Sequence, residues 1–259
     1  MSRFVNLEFS EGPEGEFRPE QEVALKDEAY YLAEARKAFE SGAYEQGLRG
    51  YAKVLEYNPA NAAAWTGQVR MLIELGEFRE AKLWADKALE RFPNEPELLA
   101  AKAVALARSG DLQGAMAFSD ASIEEHGDSP YVWLARGDVM LAREETRADY
   151  CFDKALLLAP RDWFTLWLAA RIRAYYEQFI LALKLIQQAV ELDSANFLLW
   201  LEQGRCQQAI GLLGPAKVSL TQARQLNPRS PEVEKVLLKV DHASPLAKLG
   251  GKIKGLFRR

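Results

Sequence analysis

Small and apolar residues recur along this chain with a period of about 34 residues. The clearest unit runs from Ala62 to Pro93, where two amphipathic segments flank Gly76 and a proline ends the second segment. Each segment has the apolar spacing of a helix of about four turns, and glycine favours a tight turn between them. The unit is therefore predicted to be a hairpin of two antiparallel helices.

One small residue in each unit marks where the two helices must approach closely. This first series is Gly47, Ala81, Ala115, Ala148, Ala182 and Ala216, at intervals of 34, 34, 33, 34 and 34 residues. A second series on the facing helices is Ala35, Val69, Ala103, Gly137, Ala170 and Gly204, and the units end at Pro59, Pro93, Gly127, Pro160, Ser194 and Pro228. The three series together predict six hairpins, with first helices near 28–41, 62–75, 96–109, 130–143, 163–176 and 197–210.

The second unit resembles the tetratricopeptide repeat family, whose signature places particular aromatic and small residues in a 34-residue helix pair. The residues that carry the resemblance are Trp65, Leu72, Phe78, Ala81, Ala88 and Pro93. Across Glu28 to Pro228 the resemblance implies an all-α, right-handed α-solenoid of about six hairpins. A turn glycine is present as Gly42, Gly76, Gly110 and Gly211, whereas the fourth and fifth turns lack it and are expected to differ locally.

The two ends of the chain differ from the repeats, which gives three predicted segments. Residues 1–18 read as a flexible acidic arm, residues 19–242 as the solenoid with a capping helix, and residues 243–259 as a basic amphipathic tail. Nothing breaks a helix between Pro19 and the first repeat, so the first helix is predicted to be unusually long. The segment from Pro231 has no partner helix and is predicted to cap the array.

Composition and motifs argue for a non-enzymatic protein of the cytoplasm. The 259 residues are 49% hydrophobic and 27% charged, with a net charge of −4, and show neither a signal peptide nor an apolar membrane span. This acidic balance disfavours nucleic acid as a partner. Two cysteines, two histidines and no recognisable catalytic or phosphate-binding motif leave no expected catalytic residue, metal site or cofactor.

The resemblance also implies that the first helices line a concave groove that holds a peptide or partner helix. The groove residues proposed on this basis are Arg36, Arg70, Val104, Leu134, Asp138, Phe164, Trp167, Arg171, Leu201 and Arg205. The four arginines suit a partner with carboxylates, and the apolar members would form an exposed floor for apolar side chains. Alternatively, the arginines pair with carboxylates of this chain such as Glu74 and Glu202.

The family's carboxylate-clamp variant, which captures chaperone C-termini, requires asparagines and lysines that this chain replaces with Gly67 and Arg70. Chaperone binding of that kind is therefore not expected. Two functions stay open at this stage. The first is an adaptor with a peptide in the groove, and the second is an assembly or regulatory subunit that uses its convex or lateral surfaces. The sequence leaves the oligomeric state undetermined.

The C-terminal tail carries five basic residues and no acidic one, whereas the chain before it has 28 basic and 37 acidic residues. Wound as a helix, it would gather apolar side chains on one arc and basic ones around the rest. The residues concerned are Leu246, Lys248, Leu249, Lys252, Ile253, Lys254, Leu256, Phe257, Arg258 and Arg259. Three interpretations compete: an anchor on an anionic membrane surface, a docking peptide for another protein, and a disordered solubility tail.

Overall fold

A computed structural model describes residues 26–243 of the chain. Within this range the chain forms thirteen α-helices and no strand. The helices are α1 Glu28–Glu40, α2 Tyr44–Tyr57, α3 Ala62–Glu74, α4 Phe78–Leu89, α5 Pro96–Arg108, α6 Leu112–Glu124, α7 Pro130–Ala142, α8 Ala148–Leu158, α9 Trp163–Tyr175, α10 Phe179–Leu192, α11 Phe197–Ala209, α12 Leu213–Leu226 and α13 Pro231–Asp241. Six hairpins and a single final helix follow, as the periodicity predicts.

Helix α1 begins later than the sequence suggested. Asp27 has an extended backbone, with φ −97° and ψ −173°, and its carboxylate accepts a hydrogen bond from the backbone N–H of Tyr30. This is N-cap geometry, which satisfies a free amide of the first turn and fixes the start of the helix at Glu28. The prediction of one uninterrupted helix from Pro19 is therefore wrong, and residues 1–25 lie outside the described range.

Small residues hold the two helices of each hairpin close together. Ala81, Ala115, Ala182 and Ala216 are fully buried, and Ala148 is nearly so. At Gly47 a Cβ atom would lie 3.5 Å from the backbone oxygen of Ala35 on α1, and only 2.8 Å from the Sδ atom of Met71 on α3 of the next hairpin. The first series of the sequence pattern thus marks true helix crossings.

Every turn inside a hairpin contains one residue with positive φ. Glycine fills this position in four repeats: Gly42, Gly76, Gly110 and Gly211. In the fourth and fifth repeats Glu144 and Glu177 adopt the same left-handed conformation, each with φ of 59°. The backbone therefore makes the turn expected of glycine at a modest conformational cost to glutamate.

The two helices of a hairpin lie in different layers. The first helices α3, α5, α7, α9 and α11 pack against one another in sequence, whereas the second helices have no comparable contacts among themselves. First helices therefore form the inner, concave layer and second helices the outer, convex layer. Helix α13 packs on α12 and α11 and buries Val233, Val236 and Leu237, which confirms its role as a cap.

Candidate functional site

The concave face is filled by side chains that reach across it from opposite repeats. The ring of Phe39, at the end of α1, lies 5.1 Å from the ring of Phe164 and 6.5 Å from that of Trp167, both on α9. Trp167 is fully buried and Phe39 is 4% exposed. The first repeat thus packs directly on the fifth.

Arg70 also fills the concave face, closer to the middle of the array. Its guanidinium carbon lies 4.8 Å from the ring centroid of Phe39 and 3.8 Å from that of Tyr131. Both distances are typical of cation–π contacts, in which the cation lies against an aromatic face. Arg70 is therefore engaged by two aromatic rings of its own chain.

An ionic network joins the second, fifth and sixth repeats to the cap. Arg171 contacts Glu74 at 2.6 Å and Glu202 at 3.2 Å, and Arg205 contacts Glu202 at 2.7 Å and Glu232 at 2.6 Å. Burial disfavours the charge of Arg171, but Glu74 and Glu202 outweigh that effect and raise the pKa of its guanidinium. The alternative in which the groove arginines pair with internal carboxylates is confirmed for Arg171 and Arg205.

A second charged cluster lies between the third, fourth and fifth repeats. Asp138 is 1% exposed, pairs with Arg108 at 2.6 Å and accepts a hydrogen bond of 2.7 Å from the hydroxyl of Tyr176. Burial and the adjacent Asp138 carboxylate raise the pKa of Tyr176, so its hydroxyl stays a donor over the ordinary pH range. The guanidinium carbon of Arg108 also lies 4.2 Å from the ring centroid of Tyr175.

The structure brings the predicted groove residues to one face but does not leave that face open. The exposed apolar floor is wrong, because Leu134 is 1% exposed and Leu201 is fully buried. The buried members are Val104, Leu134, Asp138, Trp167 and Leu201. Arg70, Phe164, Arg171 and Arg205 are half-buried, and Arg36 is exposed with no ion pair to residues 26–243.

Little free volume remains inside the groove. A cavity of about 30 Å³ lies among Arg70, Val104, Arg108, Tyr131 and Asp138. That volume holds about one water molecule and cannot hold a peptide side chain. A peptide could enter the middle of the groove only if the array opened.

An open cleft of about 370 Å³ lies at the mouth of the groove. The end of α1 contributes Lys37 and Glu40 to it, and the starts of α9 and α11 contribute Trp163, Asn196 and Phe197. Sequence periodicity missed this cleft because it forms between repeats that are distant along the chain.

The convex face exposes several large apolar side chains on the second helices. Those more than 60% exposed are Leu83, Tyr150, Leu157, Ile180 and Val218. Four of the five second helices from α4 to α12 carry at least one of these residues, namely α4, α8, α10 and α12. The outer layer therefore carries large apolar side chains at solvent-exposed positions, where polar residues are usual.

Two kinds of feature are absent from residues 26–243. No group of three His, Cys, Asp or Glu side chains there could hold a metal ion, and no helix there is long and apolar enough to cross a membrane. Burial raises the pKa of the Cys206 thiol to about 12, so this cysteine is protonated at neutral pH. The tail residues proposed to bind a membrane or a protein all lie outside the described range.

Residues 38–105 match a family model described as tetratricopeptide repeat. A tetratricopeptide repeat protein from Parabacteroides merdae ATCC 43184 has a similar structure, with 16% identity and a TM-score of 0.54, over 86% of this chain and 87% of that one. PilW, a widely conserved type IV pilus biogenesis factor, is 18% identical with a TM-score of 0.50, over 81% of this chain and 98% of that one.

A chain of the APC/C hetero-tetramer Cut9-Hcn1 is 15% identical with a TM-score of 0.52. The match covers 84% of this chain but 44% of that one, so the present chain corresponds to less than half of it. A sequence comparison with curated proteins found no match. At these identities the likeness to solved structures establishes the fold alone.

Proposed function

We propose that this chain, whose residues 38–105 match the tetratricopeptide repeat family model and whose fold is that of tetratricopeptide repeat proteins, is a non-enzymatic scaffold that binds a protein partner. The observation that carries the proposal is the open cleft at the mouth of the concave groove, where Trp163 and Phe197 offer aromatic surface beside Lys37. The carboxylates of Glu40 and Asp193 line the same cleft, so its aromatic side chains and mixed charges suit a segment that combines apolar residues with charges of both signs.

The proposed ligand is a peptide or partner helix that binds at this mouth and extends along the groove only when the array opens. Arg36 is exposed and belongs to the same inward register as Arg70, Arg171 and Arg205. Since Arg171 and Arg205 already pair with carboxylates of this chain, Arg36 and Lys37 supply the positive charge that a partner would meet first. Acidic residues of the partner would therefore bind at the N-terminal side of the mouth.

Selection of a random peptide library on the immobilised full chain tests this proposal. We expect enrichment of peptides with acidic and aromatic residues, and loss of their binding to an Arg36→Glu/Lys37→Glu variant. The matched control is Arg49→Glu/Lys53→Glu, which makes the same charge change on the exposed face of α2. Peptides that bind both variants as well as the parent would place the binding surface elsewhere.

A second candidate function is an assembly or regulatory subunit that binds through its convex face. The exposed Leu83, Tyr150 and Val218 favour it, because large apolar side chains on a surface commonly mark an interaction site. The same selected peptides test this candidate. It is favoured if they fail to bind a Leu83→Ser/Tyr150→Ser variant but still bind the Arg36→Glu/Lys37→Glu variant.

For the tail we propose reversible recruitment to an anionic membrane surface, supported by its five basic residues and its apolar arc. The test is co-sedimentation with vesicles containing phosphatidylserine at low and moderate salt. Ile253→Asp/Phe257→Asp should release the protein at moderate salt, whereas the peptides selected above should bind as before. Failure of the parent protein to co-sediment at low salt would leave the tail as a docking peptide for another protein.

A further inference from the structure

The α1–α2 corner, residues 39–44, makes contacts that a repeat array does not require. In a solenoid each repeat packs on its immediate neighbours, and those contacts suffice for stability. Here Phe39 and Tyr44 of the first repeat contact α9 of the fifth repeat, and Gly42 lies against α11 of the sixth. The corner therefore occupies the concave surface of the last two repeats.

The first point of attachment is an aromatic shelf on α9. Phe39 meets Phe164 edge to face, with an interplanar angle of 89°, and Trp167 completes the shelf below them. Edge-to-face packing is the favoured arrangement of two aromatic rings. Phe39 thus packs on the aromatic side chains of α9 in the way that an aromatic residue of a partner protein packs into an interface pocket.

The second point of attachment is the guanidinium of Arg171. Its carbon lies 5.3 Å from the ring centroid of Tyr44, while Glu74 and Glu202 hold the guanidinium in place. The ring of Tyr44 therefore covers a cation that is already fixed by two carboxylates. This geometry selects an aromatic side chain, since a second cation or an apolar stem would gain less there.

Between the two aromatic residues the backbone passes very close to α11. Gly42 has φ of +72°, and a Cβ atom there would lie 3.1 Å from a terminal carbon of Leu198. Glycine thus satisfies both the turn and the close approach. The corner presents an aromatic residue, a glycine turn and a second aromatic residue to a matching surface.

This fit leaves one polar group unsatisfied. The indole N–H of Trp167 is buried and finds no acceptor among the residues that the structure describes. A buried donor without a partner destabilises the closed arrangement.

We propose that the α1–α2 corner is an intramolecular ligand that closes the groove of the fifth and sixth repeats. A protein segment with an aromatic residue, a tight turn and a second aromatic residue occupies the same surface once the corner has left. The proposal rests on the proposed function in that it names how the groove becomes available to a partner. Such a segment can bind only those molecules whose groove is open. Its apparent Kd is therefore the intrinsic Kd divided by the open fraction.

Displacement of the corner does not require the first hairpin to unfold. Helices α1 and α2 pack on each other, and α2 packs on α3, through contacts separate from those with α9 and α11. A rotation of the first hairpin about α3 would separate Phe39 and Tyr44 from α9 and Gly42 from α11. Such a rotation is a rigid-body movement of one repeat against the next.

The test uses a fluorescein-labelled peptide with the sequence of residues 36–48 and the full-length protein. We expect weak binding to the parent and at least about tenfold tighter binding to the Phe39→Ala/Tyr44→Ala variant, because its own corner no longer competes. The same peptide with alanine at both aromatic positions should not bind. The matched control, Leu83→Ala on the convex face, should bind as the parent does.

If the double variant binds the peptide no more tightly than the parent, the proposal is overturned. Should that variant fail to fold, Phe39→Leu keeps an apolar side chain and should still bind the peptide more tightly than the parent. Hydrogen exchange gives an independent measurement: saturating peptide should speed exchange in α1 and slow it in α9. The intramolecular closure is also overturned if the peptide changes hydrogen exchange in neither α1 nor α9 of the parent. The same holds if the parent forms a dimer in which the corner of each copy binds the other copy.

Failure of this test can be separated from failure of the scaffold function. The peptide comes from the chain itself, so its binding does not depend on the partner or on the selected library peptides. A scaffold that binds partners at the mouth or on the convex face would still pass the library test. If no library peptide binds the full chain while the corner peptide still does, the closure of the groove serves stability alone.

Discussion

The inner layer of this solenoid buries charged residues among its apolar ones, whereas the outer layer exposes several large apolar side chains. The inner layer buries the charged residues Arg108 and Asp138, whereas the outer layer exposes Leu83, Leu157 and Val218. A repeat array needs only neighbour contacts to fold, so its inner face is free to carry directional contacts. Arg108 and Asp138 join neighbouring repeats, whereas the pair of Arg171 with Glu74 joins the fifth repeat to the second.

The comparison can be tested by pairs of substitutions that make the same chemical change on each layer. The largest difference is expected for tryptophan. Trp167→Ala removes a fully buried ring and should cost about 3 to 5 kcal/mol of unfolding free energy. Trp84→Ala removes a ring that is 37% exposed and should cost about 2 kcal/mol or less. Urea denaturation followed by circular dichroism measures both, and equal costs would mean that the groove is open in solution.

The next difference is expected for arginine. Arg171→Ala leaves Glu74 inside the groove without its cation, which should cost about 3 kcal/mol because the desolvated carboxylate loses its partner. Arg49→Ala removes a side chain that is 74% exposed and pairs only with Glu45, so a change within about 0.5 kcal/mol is expected. The same denaturation measurement applies. A matching small loss for Arg171→Ala would show that the ionic network does not hold the curl of the array.

These pairs also show how far the sequence could predict the structure. The hairpins and their crossings could be predicted, because residues such as Ala81 and Ala182 recur in one register and only a small residue fits there. Glu144 and Glu177 break the glycine pattern without breaking the turn, since the flanking helices impose the left-handed conformation on them. Asp27 was a readable N-cap signal that the absence of a helix breaker obscured.

The closure of the groove could not be predicted in the same way. The contact between Phe39 and Phe164 depends on the summed rotation of five repeats, and a small error in each rotation moves the two rings apart. Periodicity gives the inward direction of a residue such as Trp167 but not the distance to the opposite wall. The predicted groove residues therefore share one face, while the prediction that the apolar ones form an exposed floor was wrong.

A third pair tests the helix crossings. Ala182→Leu adds three carbons where α10 meets α9 and should cost about 1 to 3 kcal/mol, because the two helices must separate. Ala117→Leu places the same side chain on the exposed face of α6 and should change the unfolding free energy by about 0.5 kcal/mol or less. Thermal melts of both variants beside the parent provide the measurement. Unchanged stability of Ala182→Leu would refute the close crossing.

The smallest effect is expected on the outer layer itself. Leu83→Ser and Val218→Ser replace side chains that are 66% and 71% exposed, so each should change the unfolding free energy by about 0.5 kcal/mol or less. Leu134→Ser makes the same kind of change at a residue that is 1% exposed and should cost at least about 3 kcal/mol. Urea midpoints and slopes of all three variants measure the contrast.

The outer variants are informative because their expected effect on stability is so small. If Leu83→Ser nevertheless cost more than about 1.5 kcal/mol, its side chain would have to be covered by something other than residues 26–243 of the same molecule. Sedimentation equilibrium of the parent and the variant would then identify the cover. A parent that associates and a variant that does not would show that the exposed leucine joins two copies, whereas two monomers would assign the cover to the same chain.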